Sequence, residues 1–118
     1  MNILIIDDNQ IDRFILRRLL KKEGWDQSVV DAPSVASAID FCRQQKFDLV
    51  FMDLSMKPID GFVGTRLLME FYGSECPRVV AYSAAIAPDQ HLKAKAAGMT
   101  DILVKPVRRE ELRGVLGS

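Results

Sequence analysis

The feature that most constrains this chain is the run Phe47-Asp48-Leu49-Val50-Phe51-Met52-Asp53. It is almost continuously apolar and rich in β-favouring types, which is how a strand buried on both faces of a parallel sheet reads. It stops at a carboxylate. Burying an unpaired charge is costly, so Asp53 has no packing rationale. In an open α/β sheet the carboxyl end of a strand faces the crevice where ligands bind. The loop that follows, Leu54 to Gly61, carries turn chemistry at Pro58 and at Asp60-Gly61. Asp53 therefore reads as a reactive or ligating carboxylate.

The rest of the chain alternates around that strand. Asn2 to Ile6 is a short apolar strand ending at Asp7-Asp8-Asn9. Helical spacing follows, with Ile15, Leu16, Leu19 and Leu20 as a core stripe and Gly24 as a stop. Asp8 and Asp12 lie near the helix start, where the macrodipole favours acids. Gln27 to Asp31 holds a weaker second strand. Ser34 is the expected N-cap of a second helix with Val35, Ala38, Ile39 and Cys42 on its apolar side. After Gly61 a third helix runs to a break at Gly73. Arg78 to Ser83 is a fourth strand, Pro88 to Ala97 a fourth helix ending at Gly98, and Asp101 to Val104 a fifth strand. Val107 to Leu116 is a last short helix. Five β-α units predict an α/β fold with a parallel sheet, and right-handed crossovers put helices on both faces.

Length and composition narrow the class. The 118 residues suffice for one domain and are too few for two. Lys+Arg and Asp+Glu balance at 16 each, which argues against the basic footprint of a nucleic-acid binder. Cys42 and Cys76 form no CxxC pair and read as reduced thiols in a cytoplasmic setting. No apolar run reaches membrane-spanning length, and the start does not read as a signal peptide.

The strand ends converge chemically. The first delivers Asp7 and Asp8, the third Asp53, the fourth Ser83 and the fifth Lys105. Three carboxylates this close repel one another unless a cation joins them. Mg²⁺ takes a few carboxylates together with waters and phosphate oxygens. Cation, ammonium and hydroxyl together make a pocket for a phosphoryl group that Asp53 would attack in line.

At this point the residues match a family. Asp7-Asp8, Asp53, the Met56 to Gly61 loop, Ser83-Ala84, Ala97-Gly98 and Lys105-Pro106 occur in order, each at a strand end or in its loop. In this the chain resembles the receiver domain of two-component and phosphorelay response regulators along nearly its whole length. The resemblance implies one receiver domain over residues 1–118, a single-domain flavodoxin-like (βα)5 three-layer sandwich with strand order 2-1-3-4-5. It implies a phosphoacceptor signalling function, with phosphate passing to Asp53 from the phosphohistidine of a histidine kinase or histidine phosphotransfer domain. By the same resemblance Asp8, Asp53 and the backbone carbonyl of Ser55 bind Mg²⁺ (or Mn²⁺), with Asp7 acting through water. Lys105 holds a phosphoryl oxygen, Ser83 swings to another, Ala84 admits the donor, and the bond before Pro106 is cis. Ser55 and Ala85 flank the phosphoryl group and imply an intermediate lifetime for it. Such a domain is not a turnover enzyme: it catalyses only its own phosphorylation and dephosphorylation, then acts on a downstream effector through a switched face.

Three departures stand out. Lys57 occupies the usual proline position, with Pro58 one place later. Ile102 stands where the family usually has Tyr or Phe. Arg108 replaces the usual cap of the last helix, weakening its start. Phe14 falls opposite the core stripe of the first helix with Ile11 on its flank, so both are candidates for partner docking. His91 reads as a surface residue, Trp25 as a half-buried lid and Tyr82 as core. Two other functions are open. One is a pseudo-receiver used only as an interaction module, which Ile102 would suit. The other is a phosphatase or phosphotransferase with an Asp nucleophile, which would want a second acid where Leu54 and Ser55 stand.

Overall fold

A computed structural model describes residues 1–25, 28–84 and 86–117. Five strands form one parallel sheet: β1 (Ile3–Ile6), β2 (Val29–Ala32), β3 (Leu49–Asp53), β4 (Arg78–Ser83) and β5 (Asp101–Val104), in the order β2-β1-β3-β4-β5. This is the expected flavodoxin-like order. The helices are α1 (Gln10–Lys22), α2 (Val35–Gln44), α3 (Gly61–Tyr72), α4 (Pro88–Ala97) and α5 (Arg109–Leu116), with a 3₁₀ turn, Gly73–Glu75, after α3.

Strand side chains alternate between two cores. On one face Leu4, Ile6, Val50, Met52, Val79 and Ala81 pack against α2, α3 and α4 through Val35, Ala38, Cys42, Leu68 and Ala94. On the other, Ile3, Ile5, Leu49, Phe51, Val80, Tyr82 and Leu103 pack against α1 and α5 through Leu16, Leu20, Leu112 and Val115. β1 and β3 are buried along their whole length, as their unbroken apolar runs require.

Helix starts follow local chemistry. The Asn9 side chain caps α1 by accepting from the N–H groups of Ile11 and Asp12. Ser34 caps α2 as expected, and Asp60 caps α3 by accepting from Val63 N–H. Arg108 precedes α5 without a side-chain cap, as its chemistry predicts. Gly24 and Gly98 have φ of +88° and +103°, the left-handed conformation that ends α1 and α4. The two cysteines are free, Cys42 buried and Cys76 half-buried. Trp25 is half-buried against the α1–α5 core, and His91 is exposed.

Four expectations need correction. Ile15 is 44% exposed, so the core stripe of α1 narrows to Leu16 and Leu20, with Leu19 half-buried against it. The reason is that α1 contacts the sheet along one line, and Ile15 falls beside the crevice at its end. β2 starts at Val29; Gln27, its expected start, lies outside the described residues. α5 starts at Arg109, because the backbone of Arg108 before it is still extended. β3 starts at Leu49, although Phe47 before it is buried in the α2–α4 core. The Lys57–Pro58 bond is cis, a feature the sequence did not announce.

Candidate functional site

The sheet twists its strand ends into one crevice. Asp7 follows β1, Asp53 closes β3, Ser83 closes β4 and Lys105 follows β5. One carboxylate oxygen from each of Asp7, Asp8 and Asp53 lies within 4.8 Å of the others. Asp7 is 0% exposed and Asp53 4%, while Asp8 is exposed at the rim.

The partners of these acids are unequal. One Asp7 oxygen accepts the Asn9 N–H at 2.9 Å. The other accepts from the Tyr82 hydroxyl at 2.7 Å and from Lys105 Nζ at 2.9 Å. Burial pushes the Asp7 carboxyl up, but these donors outweigh it and hold Asp7 below the ordinary range. Among the described residues Asp53 accepts only the Ser55 N–H, at 3.3 Å, with Lys105 Nζ at 3.6 Å. Burial and then the neighbouring Asp7 charge push Asp53 up to about 6. Asp53 is thus a buried carboxylate short of donors, still mostly ionised at neutral pH.

Lys105 is the cation of the site. Its Nζ reaches Asp7 and Asp12 at 2.9 Å each. Burial works against its charge, but the bonds to Asp12 and Asp7 and the nearby Asp53 hold its pKa above the ordinary value. The Lys105 N–H donates to the Ser83 carbonyl at 2.8 Å, tying the start of this loop to β4, and the Lys105–Pro106 bond is cis as expected. Gly61 lets the loop after Asp53 fold back: a Cβ there would lie 2.3 Å from the Asp53 carbonyl oxygen.

The other expected residues fall around this centre. Ser83 is buried and Ala84 exposed beside it. Ser55 is exposed in the loop after β3. Ala85 lies outside the described residues. Ile102 is half-buried on β5 and packs against the α2–α4 core, away from the acid cluster. Ile11 and Phe14 are 69% and 59% exposed on α1, with the Arg18 guanidinium 5.7 Å from the Phe14 ring centroid. A cavity of about 280 Å³ opens between α1 and the β5–α5 loop, walled by Ile15, Leu16, Tyr82 and Val107, with Lys105 at its edge.

Sequence reasoning missed two participants. Asp12 reads in sequence as an acid at the α1 dipole, yet its carboxylate also holds Lys105. Tyr82 was assigned to the core, yet its hydroxyl holds Asp7. For Tyr82 the signal is the strand register: it lies on β4 directly opposite Asp53, so a hydroxyl there stands among the acids once that register is known.

These oxygens fit a hard divalent cation. They are all carboxylates and they are mutually close, and Asp53, raised first by burial and then by the Asp7 charge, is a charge that a cation would relieve. Among the described residues no helix is long and apolar enough to cross a membrane.

Comparison with known proteins agrees with this geometry. Residues 3–116 match the family model of the response regulator receiver domain. The chain is 32% identical over 120 residues to the sensor histidine kinase AruS of Pseudomonas aeruginosa; the match covers 99% of this chain and 12% of that kinase. The fold superposes on the chemotaxis protein CheY4 of Vibrio cholerae with a TM-score of 0.88 at 23% identity, covering 98% of this chain and 95% of that one. It also superposes, with a TM-score of 0.80 at 26% identity, on a chain of the Saccharomyces cerevisiae co-crystal of the phosphotransfer protein Ypd1 with the Ssk1 receiver domain, covering 95% of this chain and 83% of that one.

Proposed function

The chain belongs to the response regulator receiver domain family, and from that premise we propose that residues 1–118 act as one phosphoacceptor domain whose acceptor is Asp53. The observation that carries the reading is the asymmetry of the acids. Among the described residues Asp7 accepts from three donors, while Asp53 is buried, accepts only the Ser55 N–H and lies 3.6 Å from a lysine ammonium.

An Asp53 oxygen forms a bond to phosphorus as the phosphorus–nitrogen bond of a donor phosphohistidine breaks. The electron pair stays on the imidazole nitrogen, which is protonated. Lys105, anchored between Asp7 and Asp12, turns its ammonium to a phosphoryl oxygen. Ser83 offers its hydroxyl to a second oxygen, and Ala84 leaves the approach open. Asp8, Asp53 and the Ser55 carbonyl, with Asp7 through water, would hold Mg²⁺ or Mn²⁺, which would supply charge neutralisation at the phosphoryl oxygens. Ile11 and Phe14 form the apolar surface on which the donor, a histidine kinase or phosphotransfer domain, docks. The phosphorylated domain acts on an effector and turns over no external substrate.

The test is phosphorylation by acetyl phosphate with and without Mg²⁺, read by intact mass. One phosphoryl group, dependent on Mg²⁺ and lost on Asp53→Asn, is expected. A chain that takes no label is a pseudo-receiver, and this reading falls.

A further inference from the structure

Tyr82 is only 1% exposed and packs edge-on to Phe51, with ring centroids 6.4 Å apart. Phenylalanine would meet that packing need equally well. What phenylalanine lacks is the hydroxyl, which donates to Asp7 Oδ2 at 2.7 Å. Lys105 Nζ donates to the same oxygen at 2.9 Å and stands 4.7 Å from the Tyr82 ring centroid. The second Asp7 oxygen is held by the Asn9 N–H. Tyr82 therefore lies against both Asp7 and Lys105.

In the proposed reaction one of the three donors to Asp7, Lys105, turns toward a phosphoryl oxygen. When Lys105 turns to a phosphoryl oxygen, Asp7 Oδ2 loses that donor while remaining buried. A buried carboxylate stripped of its partners is strongly unfavourable. With Tyr82 in place, each Asp7 oxygen keeps a hydrogen bond throughout. We infer that Tyr82 is a positioning residue that holds Asp7 Oδ2 as Lys105 departs, so that the lysine is shared between Asp7 and the phosphoryl group instead of trapped on Asp7. The inference rests on the reading of Asp53 as phosphoacceptor and Lys105 as its phosphoryl contact.

The test is Tyr82→Phe, which keeps the ring and removes the donor. Asp7 Oδ2 then depends on Lys105 alone, and the lysine is held harder. At saturating Mg²⁺ and acetyl phosphate, the maximal phosphorylation rate falls about tenfold, the worth of one hydrogen bond to a charged group. Mg²⁺ affinity, from amide shifts at Asp8 and its neighbours, equals that of the unmodified protein or is tighter, because Asp7 has gained a free lone pair. Exchange of the Lys105 ammonium protons with water, followed by NMR in the unphosphorylated protein, slows. Unchanged rate and unchanged exchange overturn the inference. So does a variant in which Mg²⁺ affinity, phosphorylation rate and thermal stability fall together, since that is what mere packing loss produces. If the unmodified protein takes no label, the proposed function fails and this inference fails with it; if it takes label and Tyr82→Phe keeps both rate and exchange, the inference alone fails.

Discussion

Asp53→Asn should make the metal-free protein more stable, and the gain should depend on pH. Asp53 is buried, short of donors and beside a charged Asp7, so its folded pKa stands at about 6 against an ordinary 3.8. The folded state therefore binds this proton more tightly than the unfolded chain does. Stability from this group is fully present below about pH 4 and is lost as pH rises through about 6. The full gap corresponds to about 3 kcal/mol. At pH 7.5 the whole of this cost falls on the unmodified protein; near pH 4.5 only about a third of it does. Asparagine carries no charge, keeps the shape and relieves Asp7 of its neighbour. Local relaxation lowers the observable gain to about 1–3 kcal/mol, or roughly 4–12 °C in Tm for a chain of this length. The assay is urea unfolding in EDTA at both pH values, comparing variant with unmodified protein. A gain at pH 7.5 that shrinks by more than half at pH 4.5 is expected. A variant less stable at pH 7.5, or a gain equal at both, would refute the claim that Asp53 carries an unrelieved charge.

Gly61→Ala should cost about 2 kcal/mol or more, because the added Cβ meets the Asp53 carbonyl oxygen at 2.3 Å and neighbouring backbone atoms at 2.9 Å; urea unfolding checks it, and an unchanged midpoint would mean that the loop after Asp53 yields freely. Phe14→Ala, at an exposed position, should alter stability by less than about 0.5 kcal/mol. It should slow transfer from a phosphohistidine donor and leave acetyl phosphate labelling alone; equal transfer from both donors would remove Phe14 from docking. Beryllofluoride with Mg²⁺ should shift amides near Asp53, Ser83 to Pro88 and Lys105 strongly and those around Ile102 weakly. Ile102 is a stiff β-branched side chain without a ring to rotate, and equally large shifts through Ile102, Leu103 and α5 would show that isoleucine relays the change.

The architecture was legible because each unit announces itself locally. The apolar runs of β1 and β3 end in acids, Ser34 and Asp60 cap their helices, and Gly24 and Gly98 end theirs. The acid–lysine centre was legible for the same reason: a parallel sheet gathers the carboxyl ends of its strands, so Asp7, Asp8, Asp53, Ser83 and Lys105 had to meet. What stayed hidden depends on cross-chain distance. Ile15 has the period of a core residue, but its exposure depends on where α1 leaves the sheet. Asp12 meets a lysine 93 positions away. Tyr82 has the alternation of a core residue, and only the register of β3 against β4 puts its hydroxyl among the acids.

The most direct test of the account is the site of phosphorylation itself. Incubate the chain with acetyl phosphate and Mg²⁺, then trap the acyl phosphate by borohydride reduction, which converts a phosphorylated aspartate to homoserine. Peptide mass spectrometry then locates it. Homoserine at position 53 alone, absent when EDTA replaces Mg²⁺, is the predicted result. Homoserine at Asp7, Asp8 or Asp12, or none at any position, would contradict the account.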